Sequence, residues 1–111
     1  MSWTLEYLPK AEKDLKALGG SQRLLVLKAI KKVQKNPLPA EENGYGKTLG
    51  NHSRTNLAGF LKIKLRASGL RVVYQLRRTE TEMPEIVIGV RADEEVYEIA
   101  QKRSNQYNLL G

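Results

Sequence analysis

Lys62 and Lys64 stand two residues apart, Arg71 follows seven on, and Arg91 closes a third stretch of alternating apolar positions. Side chains on a strand alternate between its faces, so parity sorts each stretch. In 60–66, Leu61, Ile63 and Leu65 oppose Lys62, Lys64 and Arg66. In 70–78, Leu70, Val72, Tyr74 and Leu76 oppose Arg71, Val73, Gln75 and Arg77. In 85–91, Ile86, Ile88 and Val90 oppose Val87, Gly89 and Arg91. With the apolar sets turned to a core, Lys62, Lys64, Arg71 and Arg91 share the other, open face. Adjacent strands lie ~4.8 Å apart and alternate residues ~6.6 Å apart, which brings four cations within reach of one phosphodiester. Such a cluster suits stabilisation of charge on a phosphate. Its self-repulsion is relieved when an anion arrives. Gly89, also on that face, lets a ligand approach the backbone.

The distribution of charge agrees. Between Asn43 and Thr79 there are eight basic residues and no acidic one, whereas the net charge of the whole chain is +7. The excess belongs to one stretch, the footprint of a polyanion-binding surface. With one histidine and no cysteine, the sequence offers no metal-ligand constellation and no disulfide. It shows no phosphate-binding glycine loop and no nucleophile elbow. Asp93, Glu94, Glu95 and Glu98 read as helix-terminal charge, Tyr45 and His52 as solvated loop residues, and Tyr97 by spacing as a half-buried core tyrosine. Chemistry on a phosphate without metal or other cofactor is what remains.

The elements that must hold these residues follow from pattern. The 111 residues, 41% hydrophobic and 28% charged, fit one domain over 1–111, with 104–111 read as a flexible tail. No apolar run approaches a membrane span and the N-terminus lacks a leader pattern, so a cytoplasmic protein is expected. Ser2–Leu8 alternates as a strand, and Pro9 opens a helix over Ala11, Leu15 and Leu18 that Gly19-Gly20 stops. Ser21 is the expected N-cap of a second helix to Lys35, its stripe Leu24, Leu27, Ile30 and Val33. The segment 37–59 reads as irregular; then come the three strands, two joined by Ala67-Ser68-Gly69, and a helix capped by Asp93. The expected class is α+β, βααβββα: an antiparallel-rich, four-stranded sheet with an N-terminal helical hairpin and a C-terminal helix, all helices on one face.

The segment Leu61-Lys62-Ile63-Lys64-Leu65-Arg66-Ala67-Ser68-Gly69-Leu70-Arg71-Val72-Val73-Tyr74-Gln75 resembles the central signature of RelE-type toxins of the RelE/ParE superfamily, continued by Ile88-Gly89-Val90-Arg91 and Glu95-Val96-Tyr97. The resemblance spans about residues 3 to 103 and implies the RelE-like microbial RNase fold. It also implies the toxin of a type II toxin–antitoxin system, cutting mRNA in the ribosomal A site by attack of a ribose 2′-hydroxyl on the adjacent phosphate. By the same resemblance, Lys62 and Lys64 match the strand lysines, Arg71 the phosphate-stabilising arginine, Arg91 the arginine near the leaving group, and Tyr97 a tyrosine that orients the nucleotide. A lysine among cations releases its proton more readily, which makes Lys64 a candidate general base and Tyr97 its competitor. Arg54, Arg66 and Arg77 are the expected RNA- and ribosome-binding residues. The implied partners are a cognate antitoxin, the 70S ribosome and mRNA, with operator DNA reached only through the antitoxin and no membrane. Two other readings stay open: a ParE-like gyrase poison, and a non-catalytic nucleic-acid-binding module of the same fold.

Overall fold

The computed structural model describes residues 3–49, 59–65, 68–90 and 93–107. Strand β1 (Thr4–Tyr7) leads through Pro9 into α1 (Pro9–Ala17), and α2 (Gly20–Gln34) follows at once. Arg23 of α2 turns back to donate to the carbonyls of Leu15, Lys16 and Leu18 at 3.0–3.3 Å. It thereby satisfies groups that a helix end leaves unpaired and fixes the hairpin. Then come β2 (Lys47–Thr48), β3 (Phe60–Leu65), β4 (Leu70–Gln75), β5 (Glu82–Gly89) and α3 (Asp93–Gln106). Among the described residues the sheet has five strands in the order β1-β5-β4-β3-β2, parallel only between β1 and β5. The α+β class holds. The additional strand is β2, two residues within the segment expected to be irregular.

The sheet carries a core on each face. Val26, Ile30 and Val33 of α2 pack with Leu61, Ile63, Leu70, Val72, Tyr74 and Ile88. On the other side, Val96, Tyr97 and Ala100 of α3 pack with Phe60, Val73, Ile86 and Val87. The expectation that all helices lie on one face is thus corrected: α3 roofs part of the face that carries the cations. The α2 stripe also needs correction. Leu24 is 61% exposed and Leu27 38%, because the inward face runs through Val26, Ile30 and Val33 instead. Gly19, not Ser21, holds the N-cap position. At the other end α3 continues to Gln106, and Ser104, expected in the tail, is buried with its Oγ donating to Ala100 O at 2.6 Å.

β5 departs from simple alternation. Its register against β4 pairs Ile88 with Val72, Val73 with Val87, and Tyr74 with Glu85, leaving Ile86 as the extra residue of a bulge. Ile86 therefore joins Val87 under α3, although parity grouped it with Ile88. The backbone groups here find side-chain partners. Ile86 O accepts from Arg103 Nη1 at 2.9 Å, and Ile88 N–H donates to Asp14 Oδ2 at 3.1 Å. Arg103 and Asp14 are themselves paired at 2.7 Å.

Glu85 is fully buried beside Tyr74, and among the described residues neither carboxyl oxygen has a hydrogen-bond partner. Burial alone pushes its carboxyl well above the usual carboxylate range, so the group is held as the neutral acid. Burial likewise raises the Tyr74 hydroxyl, which donates to Pro37 O at 2.7 Å. Because the folded state binds the Glu85 proton more tightly than the unfolded chain does, its contribution is greatest in acid and is lost as pH rises through the raised value. Glu85→Met should accordingly stabilise the protein above neutral pH by on the order of 2 kcal/mol. Urea unfolding from pH 5 to 9 checks this: the gap between variant and wild type should widen with pH, and a constant gap would contradict it.

Candidate phosphate-binding site on the sheet face

Strand register builds the site as two rungs. β2 sets Lys47 opposite Lys62, and β4 sets Val73 on the other side of Lys62. The next rung runs Lys64, Arg71, Gly89 across β3, β4 and β5. Directly opposed residues share a face with Cβ atoms ~4.5–5.5 Å apart, and like charges so placed are destabilising. The sheet therefore carries two like-charge pairs, Lys47–Lys62 and Lys64–Arg71, within two residues of each other. A phosphate bridging the rungs would replace this repulsion with charge-assisted hydrogen bonds.

α3 borders the first rung. Tyr97 is 1% exposed, and its hydroxyl accepts from Lys62 Nζ at 2.7 Å while the ammonium lies 5.4 Å from the ring centroid. The sequence reading of Tyr97 as half-buried understated its burial. A ring this covered has no face for a base to stack on; what it offers is a fixed seat for the Lys62 ammonium. Arg71 is half-buried and donates from Nη1 to Gly69 O at 3.1 Å, across the turn where Gly69 takes a φ of +71°. That positive φ is one glycine adopts without strain. A Cβ added at Gly89 would meet nothing within 4 Å, so the second rung ends in open floor as expected.

The structure brings Lys62, Lys64, Arg71 and Tyr97 together. Arg91, Arg54, Arg66 and His52 lie outside the described residues, as do the side chains of Asp93 and Glu94. Arg77 stands beyond the end of β4, with its Nε donating to Gln75 Oε1 at 3.0 Å and Nη1 4.0 Å from Glu82. Arg78 forks onto both carboxylate oxygens of Glu42. Sequence reasoning missed Lys47. A two-residue strand leaves no alternation to read, and the signal available was only that Lys47 opens the basic stretch.

No protein-family model matches the sequence, and no curated protein matches it significantly. Solved structures do. A doubly substituted form of the Escherichia coli toxin RelE in the free state superposes with a TM-score of 0.72 at 29% identity, covering 93% of this chain and 98% of that one. The same toxin bound to an antitoxin RelB peptide gives 0.66 at 27% identity, covering 90% and 95%. The toxin–antitoxin complex RelBE2 of Mycobacterium tuberculosis, at 22% identity and a TM-score of 0.63 over 83% and 94% of the two chains, shares the fold.

The geometry around Tyr97 makes a direct prediction. Tyr97→Phe keeps the packed ring and removes the acceptor for Lys62, so the fold should persist with a loss of about 1 kcal/mol. Urea midpoints check it. A loss of several kcal/mol, or of helical circular dichroism, would mean that the hydroxyl holds more than the Lys62 ammonium.

Proposed function

On the premise that the chain is RelE-type in fold and sequence, we propose that it is the toxin of a type II toxin–antitoxin pair and an endoribonuclease that cuts mRNA in the ribosomal A site without a metal ion. The observation that carries this reading is the paired rungs, which bring Lys62, Lys64 and Arg71 together on one face with Tyr97 at the border. A gyrase poison that acts by protein contact has no chemical need for that set.

The ribose 2′-oxygen attacks the adjacent phosphorus as the bond to the 5′-oxygen breaks, leaving a cyclic phosphate and a 5′-hydroxyl. Charge grows on the non-bridging oxygens, and Arg71 with Lys62 holds them. Arginine keeps its proton in proteins, so Arg71 serves as an electrostatic and hydrogen-bonding clamp, not as a base. Lys64, opposite Arg71, takes the 2′-hydroxyl proton. Arg91, assigned by the resemblance, stabilises the leaving 5′-oxygen, which takes up a proton from water to become the 5′-hydroxyl. Tyr97 acts through Lys62, keeping the ammonium over the first rung. Arg54, Arg66 and Arg77 are proposed to contact the surrounding RNA. The RelE structures solved with antitoxin support a cognate antitoxin as the protein partner.

The test is to add the purified chain to ribosomes programmed with a short mRNA and to map 5′ ends by primer extension. Cleavage should fall within the A-site codon and drop about 10²–10³-fold in Arg71→Ala, the scale of losing one group that stabilises an oxyanion. Uncut mRNA on active ribosomes would overturn the nuclease reading. Growth arrest with intact mRNA and induced DNA damage would then point to gyrase.

A further inference from the structure

β2 covers only the first part of β3: it pairs Lys47 and Thr48 with Lys62 and Leu61 and goes no further. Where it stops, a pocket of about 260 Å³ opens between the edge of β3 and α2, with Lys32, Tyr45, Lys47, Lys62 and Lys64 among its lining residues. The other described lining residues are apolar, and none is acidic. This is slightly below the ~300 Å³ lower end of ligand pockets, a size for one base or phosphate group. Lys62 and Lys64 belong both to this pocket and to the rungs, so the two sites are continuous around the sheet edge.

The loop before β2 presents the aromatic residue. Tyr45 is 52% exposed, yet its backbone N–H donates to Asn36 O at 2.9 Å. On either side, Gly44 N–H donates to Pro39 O and Gly46 N–H to Leu38 O, both at 3.0 Å. Neither glycine could carry a side chain: a Cβ at Gly44 would lie 1.9 Å from Leu38 O, and one at Gly46 would lie 2.3 Å from the Tyr74 hydroxyl. An exposed ring is thus held on a tightly tied backbone, with the Lys32 ammonium 5.3 Å from its centroid. A solvated loop tyrosine needs no such support.

We propose that the edge pocket is a second nucleotide subsite, in which Lys32 and Lys47 hold the phosphate neighbouring the one held by Arg71 and Lys62 while a base stacks on Tyr45. The inference rests on the RNA-cleaving reading and extends it: the strand turns over the part of β3 beyond β2 and is read on both sides. Cationic grooves with aromatic platforms bind single strands by this combination, tolerant of sequence because every base has a stacking face.

The full chain should be titrated at low salt with fluorescent 2′-O-methyl oligoribonucleotides of two and of five residues, which cannot be cleaved. The longer probe should bind about tenfold more tightly, the scale of one stacked base. Tyr45→Ala should erase that advantage and Tyr45→Trp should keep it. Lys47→Ala should flatten the salt dependence by roughly the 0.7 expected for one contact to a single strand. If both alanine variants retain the advantage while Arg71→Ala weakens both probes, the subsite is wrong and the RNA reading stands. If the folded wild type binds neither probe, the subsite is wrong, and A-site cleavage on programmed ribosomes decides the RNA reading separately. If the Tyr45 and Lys47 variants lose only binding to an acidic peptide, the pocket belongs to a protein partner and the proposal is overturned.

Discussion

The pairing of Asp14 with Arg103 is the contact on which the arrangement of both faces depends. It joins α1 to α3 at 2.7 Å, and each partner also takes a backbone group of β5, Asp14 from Ile88 and Arg103 from Ile86. β1 ends at Tyr7, and Leu8 N–H makes the last reach to Glu85 O at 3.0 Å. Further along, the strand would offer unpaired groups beside a bulge, a costly state for a buried backbone. The ion pair satisfies them and in the same stroke docks α3 against the sheet. The docking sets Tyr97 beside Lys62, so the ion pair helps fix the seat of the Lys62 ammonium on a face whose rungs the strand register lays out.

The rungs themselves are unfavourable in isolation. Two pairs of cations face each other across strands, where opposite charges or apolar partners would be stabilising. Stability comes from elsewhere: the two cores on opposite faces, and Arg23 holding the end of α1. The fold thus tolerates at its surface a clustering of like charge to which a bound phosphate would add charge-assisted hydrogen bonds. Glu85 is the second feature tolerated against the folding balance, a neutral acid enclosed beside Tyr74 without a hydrogen bond among the described residues. It lies on the face away from the rungs, so its proton does not enter their electrostatics directly.

Much of this was legible in the sequence, and the failures have physical causes. Parity placed Lys62, Lys64 and Arg71 correctly because β3 and β4 are regular and paired one to one. It failed at Ile86, since a bulge shifts the face of each residue it precedes and leaves no trace in hydropathy. It failed on α2 because that helix carries apolar residues around most of its circumference. Leu24, Leu27, Ile30 and Val33 form as good a stripe as the true one, and only the sheet decides between them. Pro84, outside the stretch 85–91 that alternation marks as a strand, lies within β5 opposite Glu6 of β1. It sits just before the bulge, where a missing N–H is easily accommodated. Lys47 and Tyr45 were beyond pattern altogether, because their positions come from tertiary contacts of the loop 36–46.

The outward side of α2 has a consequence for how the molecule behaves in bulk. Leu24, Leu25 and Leu27 are 61%, 47% and 38% exposed, and Lys28, Lys31 and Lys32 follow along the same helix. Apolar surface of this kind tends to bring copies together, while a net charge of +7 keeps them apart. The opposing effects respond differently to salt. The screening length falls from ~10 Å at 0.1 M to ~3 Å at 1 M, while apolar attraction is not weakened. Dispersal in solution is therefore maintained by charge, and concentrated salt, usually chosen to keep basic proteins from sticking to nucleic acid, pushes this one toward itself.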